Sequence, residues 1–188
     1  MGAILGRVAL DGRPVDERVF RHAFDGLRPG RCARSDIVVN GAAGYGHHSM
    51  EIQAPAPQPV YEGPLTLLAD ARLYDRKDLA CALDVAARDH SDAALILRAY
   101  IRWGADCLTR MNGDFGFAIH DRNSGEVFLA RDHIGARPLF WTQRGSEVLF
   151  ATFLHGLTGL NDLHWPLSEV RIARYLCDPH ELRLESFV

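Results

Sequence analysis

Two stretches, Phe115 to Asp121 and Glu126 to Asp132, carry apolar or small residues on both faces and are joined by the turn signal Asn123-Ser124-Gly125. Strands of this kind cannot lie on a sheet face open to water; they need cover above and below. The rest of the chain supplies that cover. Helical spacing runs through Val19, Phe20 and Phe24 in residues 16–25, and again through Leu95, Ile96, Ala99, Tyr100 and Trp103 behind the N-cap candidate Ser91. A third helix starts near Asp75 with RKDLACAL, and a fourth occupies residues 167–176.

Further strands alternate with these helices. Residues 1–10 end at the turn Asp11-Gly12, and Ile37-Val38-Val39 returns through Asn40-Gly41 into Gly44 to Ser49. Leu65 to Ala69 is a buried strand, and Leu139 to Thr142 pairs with Val148 to Ala151 through Gln143-Arg144-Gly145-Ser146. Four prolines between Gln53 and Pro64 make that segment a surface excursion rather than a sheet strand. Strands flanked so regularly by helices imply two stacked sheets between helical layers.

Composition removes several classes. With 188 residues and 47% hydrophobic content the chain can bury a core, which excludes a disordered or fibrous protein. A formal charge of −3 and no Lys/Arg cluster give no reason to expect nucleic acid or an anionic membrane as partner. No run approaches the ~18 apolar residues of a membrane helix, and the opening MGAILGRVAL is too short and too interrupted for a signal peptide, so a cytoplasmic location is expected. Cys32, Cys81, Cys107 and Cys177 form no C-x-x-C pair; Cys81 and Cys107 are read as small core side chains in apolar helical patterns. His47 and His48 point to opposite faces of a strand and cannot easily share one ion, so no metal site is expected.

Residues 112–140, NGDFGFAIHDRNSGEVFLARDHIGARPLF, resemble the hairpin and following loop of class II glutamine amidotransferases, especially asparagine synthetases. SDAALILRAYIRWG resembles a helix of the same family, and the likeness in element order extends over residues 1–155. It implies an α+β, four-layer αββα sandwich of the N-terminal-nucleophile hydrolase type, with two mainly antiparallel sheets between helices. It also implies a glutamine amidotransferase type 2-like domain over residues 1–160, and in 161–188 the start of a linker or helix leading to an ATP-dependent synthetase domain beyond this sequence.

The same resemblance sets expectations for chemistry. Family members with glutaminase activity use a cysteine directly after the initiator Met; this chain has Gly2, so no catalytic residue is expected. The family's Arg-Gly-Pro-Asp motif falls near LRPGRCARSDI with its order scrambled, and processing to expose Cys32 or Ser35 would delete the first strand and helix. The segment whose Asn and Gly form the oxyanion hole matches Asp70-Ala71-Arg72-Leu73-Tyr74-Asp75, where an anionic Asp70 would repel a developing oxyanion. Arg72 replaces a Glu, and Asp92 keeps an acidic residue that could hold a substrate ammonium or simply serve as a helix N-terminal charge, the favoured role. Asp70, Arg72 and Asp75 are read as a salt-linked turn before a helix. Arg131, Asp132, Gly135, Arg137 and Pro138 are read as a charged network that shapes a loop, not as catalytic groups.

The wording DARLYDRKDL is similar to that of relatives of asparagine synthetase that lack the cysteine, such as β-lactam synthetases and lasso-peptide cyclases, with the cyclase preferred. That resemblance implies a retired glutaminase domain whose parent uses ATP and Mg²⁺ in its synthetase domain to activate a carboxylate for attack by a substrate amine. The expected partners are that synthetase domain and a precursor peptide; no cofactor is expected in this fragment. Two rivals stay open: the domain of a genuine asparagine synthetase using glutamine or ammonia, and a non-enzymatic peptide- or protein-binding module.

Overall fold

The N-terminal strand β1, Ala3–Ala9, is buried along its whole length and takes partners on both sides. In the computed structural model, which describes residues 2–30, 32–50, 56–89 and 91–177, it is the centre of a five-stranded sheet. β2 (Arg34–Asn40) and β3 (Ala43–Ser49) form a hairpin beside it, and β8 (Phe140–Arg144) and β9 (Glu147–Ala151) form another on its far side, in the order β2-β3-β1-β9-β8. A second sheet is ordered β4-β5-β6-β7 from Val60–Glu62, Leu65–Leu73, Gly113–Asp121 and Val127–Arg131. Every pairing between these strands is antiparallel.

Side-chain alternation sorts the residues into three packed seams. Ile4 and Val8 of β1 face the second sheet and, with Tyr45 and Phe150 of their own sheet, pack with its Leu68 and Ala118. Ala3 and Leu5 face the other way, against Phe20, Ala23 and Phe24 of α1 (Glu17–Gly26). The outer face of the second sheet is covered by α2 (Arg76–Ala82) and α3 (Asp92–Trp103), whose Leu79, Leu95 and Ile96 pack on Leu67, Phe115 and Phe117. α4 (Leu154–Thr158) joins α1 on the first sheet through Leu157. The layers are thus helix, sheet, sheet, helix, as expected; α5 (Glu169–Cys177) follows them in the chain.

The helices start where local chemistry directs. The Asp16 carboxylate accepts the N–H groups of Arg18 and Val19, and the Ser91 hydroxyl accepts that of Ala94, each satisfying a donor the first turn leaves open. α1 lies close on the sheet because Gly46 offers no side chain: a Cβ there would come within 2.4 Å of the Phe24 ring.

Two sequence expectations fail. Val60-Tyr61-Glu62 is a strand, although it lies in the proline-rich segment; proline is tolerated at an edge, and β4 is the edge of its sheet. Residues 51–55 of that segment lie outside the described residues. Cys81 is exposed on the outward face of the short α2, whereas Cys107 is fully buried as expected. No helix among the described residues is long and apolar enough to cross a membrane.

Candidate functional site

Gly2 precedes β1 in the phase of Ile4, so it faces the second sheet. Its backbone N–H donates to Oδ1 of Asp70 at 2.8 Å. Asp70 sits on β5 opposite Gly116 and is almost wholly buried. Its other oxygen, Oδ2, is 3.4 Å from Nη1 of Arg137, and both side chains of this pair are about nine-tenths buried, at 11% and 10% exposure. The space next to Gly2 is already filled: a Cβ there would lie 2.8 Å from the His48 carbonyl oxygen, 3.1 Å from Asp70 Oδ1 and 3.3 Å from His47 Nε2.

His47 completes the cluster from β3. Burial pushes its imidazole down to about 4, and the charges of Asp70 and Asp36 only partly oppose this, so the ring is neutral at physiological pH. Gln58 closes the edge beside it: its Nε2 donates to the Ala69 carbonyl at 2.7 Å, its Oε1 accepts the Ala69 N–H at 2.7 Å, and Nε2 lies 3.3 Å from His47 Nε2. Arg137 Nε and His47 Nδ1 are buried with no hydrogen-bond partner among the described residues. Chemically the cluster holds an anionic acceptor between an amide and a guanidinium, with a neutral imidazole alongside. An acceptor in that place cannot donate to an oxyanion.

Asp132 builds the loop that delivers Arg137. Its Oδ1 accepts the N–H groups of Ile134 and Ala136, and its Oδ2 those of Arg137 and Phe115, at 2.9–3.3 Å. Burial raises its carboxyl, but the four donors outweigh that and hold it below its ordinary value. Gly135 turns the loop at φ +68°, with the exposed Arg131 guanidinium 3.7 Å from where its Cβ would be.

The sequence-predicted residues therefore divide. The loop-shaping role expected of the 131–138 segment rests on Asp132 and backbone amides, while Arg137 leaves the loop to pair with Asp70. The expected salt-linked turn of Asp70, Arg72 and Asp75 is not formed: Arg72 is exposed, and Asp75 accepts the N–H of Asn112 at 3.2 Å. Ala71 follows Asp70 on β5 and packs against the core beneath α3. Asp92 stands at the start of α3, accepts the Leu73 N–H at 2.9 Å and pairs with Arg76 at 2.9 Å. It ties β5 to two helices and does not touch Asp70 through any of these bonds.

Sequence reasoning missed His47 as a neighbour of Gly2, and Gln58 as the residue beside His47. Strand alternation carried the signal for His47, since it puts His47 and His48 on opposite faces; nothing local marks Gln58. Among the described residues there is no group of three or more His, Cys, Asp or Glu able to hold a metal ion.

Comparison with known proteins bears on this geometry. A family described as "Glutamine amidotransferase domain" matches residues 1–186. Asparagine synthetase [glutamine-hydrolyzing] 3 of Bacillus subtilis is 34% identical over 103 residues, 52% of this chain and 16% of that protein. A putative asparagine synthetase [glutamine-hydrolyzing] 2 of Methanocaldococcus jannaschii is 24% identical over 161 residues, 80% of this chain and 30% of that protein. Carboxyethyl-arginine beta-lactam-synthase of Streptomyces clavuligerus is 29% identical over 109 residues, 57% of this chain and 21% of that protein. Aligned segments thus span less than a third of these relatives. In structure, the chain is similar to the glutamine phosphoribosylpyrophosphate amidotransferase of B. subtilis, with TM-score 0.68 and 16% identity over 85% of this chain and 43% of that one; at this identity the likeness shows the fold.

Proposed function

The chain belongs to the glutamine amidotransferase domain family, and from that premise we propose that it is a catalytically silent glutaminase-like domain of an asparagine-synthetase-type, ATP-dependent amide-forming ligase. One observation carries the proposal: where a nucleophile would stand, Gly2 has no side chain, and its amide is bound to the Asp70 carboxylate. Covalent attack on an amide needs a nucleophile and donors waiting for the oxyanion. Here the first is a hydrogen atom and the second is replaced by an anion whose own partners are already in place.

A domain without ammonia chemistry suits a ligase whose amine is already part of its substrate. The similarity to carboxyethyl-arginine beta-lactam-synthase supports that branch, and the DARLYDRKDL segment favours a lasso-peptide cyclase within it. In this proposal the remainder of the cytoplasmic parent protein activates an Asp or Glu carboxylate with ATP and Mg²⁺, for attack by a substrate amine. Neither cofactor is assigned a residue of this chain, which acts as a scaffold or docking wall for the synthetase portion and a precursor peptide.

The similarity to the B. subtilis asparagine synthetase favours a second reading, a glutamine-using domain. Glutamate release separates the two. Purified chain with its natural N-terminus is expected to release none from glutamine, and turnover above the buffer blank would establish the second reading. For the parent protein, exchange of pyrophosphate into ATP that depends on a precursor peptide and not on aspartate supports the cyclase; dependence on aspartate overturns it.

A further inference from the structure

We propose that Ser35 and His48 form a nucleophile–base pair, on the face of the first sheet opposite the Gly2 cluster, that accepts an acyl group from small activated esters. The two residues are direct cross-strand partners on β2 and β3, so their side chains leave the same face of the sheet. Ser35 Oγ lies 2.8 Å from His48 Nδ1. The other ring nitrogen, Nε2, lies 2.9 Å from the Phe24 carbonyl oxygen. A carbonyl can only accept, so Nε2 carries the proton and Nδ1 presents its lone pair to the Ser35 hydroxyl.

The ring is also held in place. It stacks on Phe24 with centroids 3.8 Å apart and planes 4° from parallel, and it is 1% exposed. Ser35 itself is exposed on the edge strand, where a reagent can reach it. Nucleophile, base and a third group fixing the base are the parts that activate a hydroxyl. Burial holds the imidazole below its ordinary value against the opposing pull of the Phe24 carbonyl, which keeps Nδ1 free of a proton at neutral pH. A second nucleophile stands beside the pair: Cys32 Sγ is 3.3 Å from Ser35 Oγ and 3.6 Å from His48 Nδ1, with its thiol directed to the Arg34 carbonyl at 3.1 Å. Ser35 has the shorter contact to the base and so is the residue that attacks.

The step balances without a further reagent. A bond forms from Ser35 Oγ to the acyl carbon, the Oγ proton passes to His48 Nδ1, and the ester C–O bond breaks as the leaving alkoxide or phenolate takes that proton. Water then adds to the acyl carbon and gives a proton to His48 Nδ1, the acyl C–Oγ bond breaks, and Ser35 Oγ takes that proton back, releasing the acid and restoring the hydroxyl and the neutral imidazole.

The test uses the intact chain with 4-nitrophenyl acetate, following nitrophenolate release and locating the acetyl group by peptide mass spectrometry. The expected result is acetylated Ser35, loss of nitrophenolate release beyond the buffer rate in Ser35→Ala, and a fall of roughly 10²-fold or more in His48→Gln. Ser35 is exposed, so Ser35→Ala keeps the fold, which circular dichroism checks. Should His48→Gln unfold, a fluorophosphonate probe replaces it: Ser35 Oγ displaces fluoride from phosphorus in the folded chain and not in urea. An acetyl group on Cys32 or on no residue, release that survives Ser35→Ala, or phosphonylation that persists in urea would each overturn the proposal. This outcome is independent of glutamate release, so it stands or falls apart from the silent-glutaminase reading.

Discussion

The Asp70 carboxylate accepts the Gly2 amide at 2.8 Å, joining the second sheet to the start of the first across 68 residues of sequence. A side chain at position 2 must displace something, because its Cβ would come to 2.8 Å from the His48 carbonyl oxygen, which is backbone. Gly2→Cys is therefore expected to lower stability by about 1–3 kcal/mol, the usual cost of overpacking, and to release no glutamate from glutamine. Thermal unfolding and a coupled glutamate assay read the two effects. Measurable turnover by this variant would show that Asp70 does not block the oxyanion site.

The Asp70–Arg137 pair is almost free of water, so removing one partner strands the other. Asp70→Asn still offers an oxygen to Gly2 but leaves the guanidinium buried without its anion, a loss expected at roughly 3 kcal/mol. Arg137→Met in the same chain relieves that burden, and the double variant is expected to recover at least half the loss in urea-induced unfolding. Strict additivity of the two single substitutions would mean that the pair is not coupled.

His47 gives the fold a pH limit. Its folded value of about 4 lies below the unfolded value of 6.5. Below pH 6.5 the unfolded chain takes a proton that the folded chain refuses, so stability is full above 6.5 and falls as the pH drops toward 4. At roughly 1.4 kcal/mol per pH unit the full span is about 3 kcal/mol. His47→Gln is expected to flatten the stability profile between pH 6.5 and 4; an unchanged slope would place the responsible group elsewhere.

Much of the fold was legible because its signals are local. Runs that are apolar on both faces and the turns at Asn40-Gly41 and Asn123-Ser124-Gly125 mark hairpins, helical spacing marks residues 16–25, and Ser91 marks a helix start, all within a few residues. β4 was missed because three residues next to proline acquire strand character only by pairing with β5. The site was less legible for the same physical reason. Asp70 and Arg137 are 67 residues apart, and Arg7 finds Glu147 and Asp162 across 140 and 155 residues. Local reading gave Asp70 the nearby Arg72 as its partner, while the fold turns Arg72 to solvent. Ser35 and His48 lie 13 residues apart in facing strands, and only their register brings them together.

Asp132 offers the sharpest test of how the loop serves the site. Its two oxygens take four backbone N–H groups, and with Ala there those donors lose a buried acceptor that no other residue of the loop supplies in their present geometry. Hydrogen bonds to charged groups contribute about 1.5–3 kcal/mol each and do not add, so Asp132→Ala is expected to cost roughly 3–4 kcal/mol. Asp132→Asn keeps one acceptor oxygen and is expected to lose less. Because Arg137 reaches Asp70 from this loop, Asp132→Ala should also lower the coupling measured between Asp70 and Arg137 in a double-mutant cycle. If the coupling energy is unchanged while stability falls, Asp132 holds only the loop backbone, and Arg137 is positioned by its packing against Gly116.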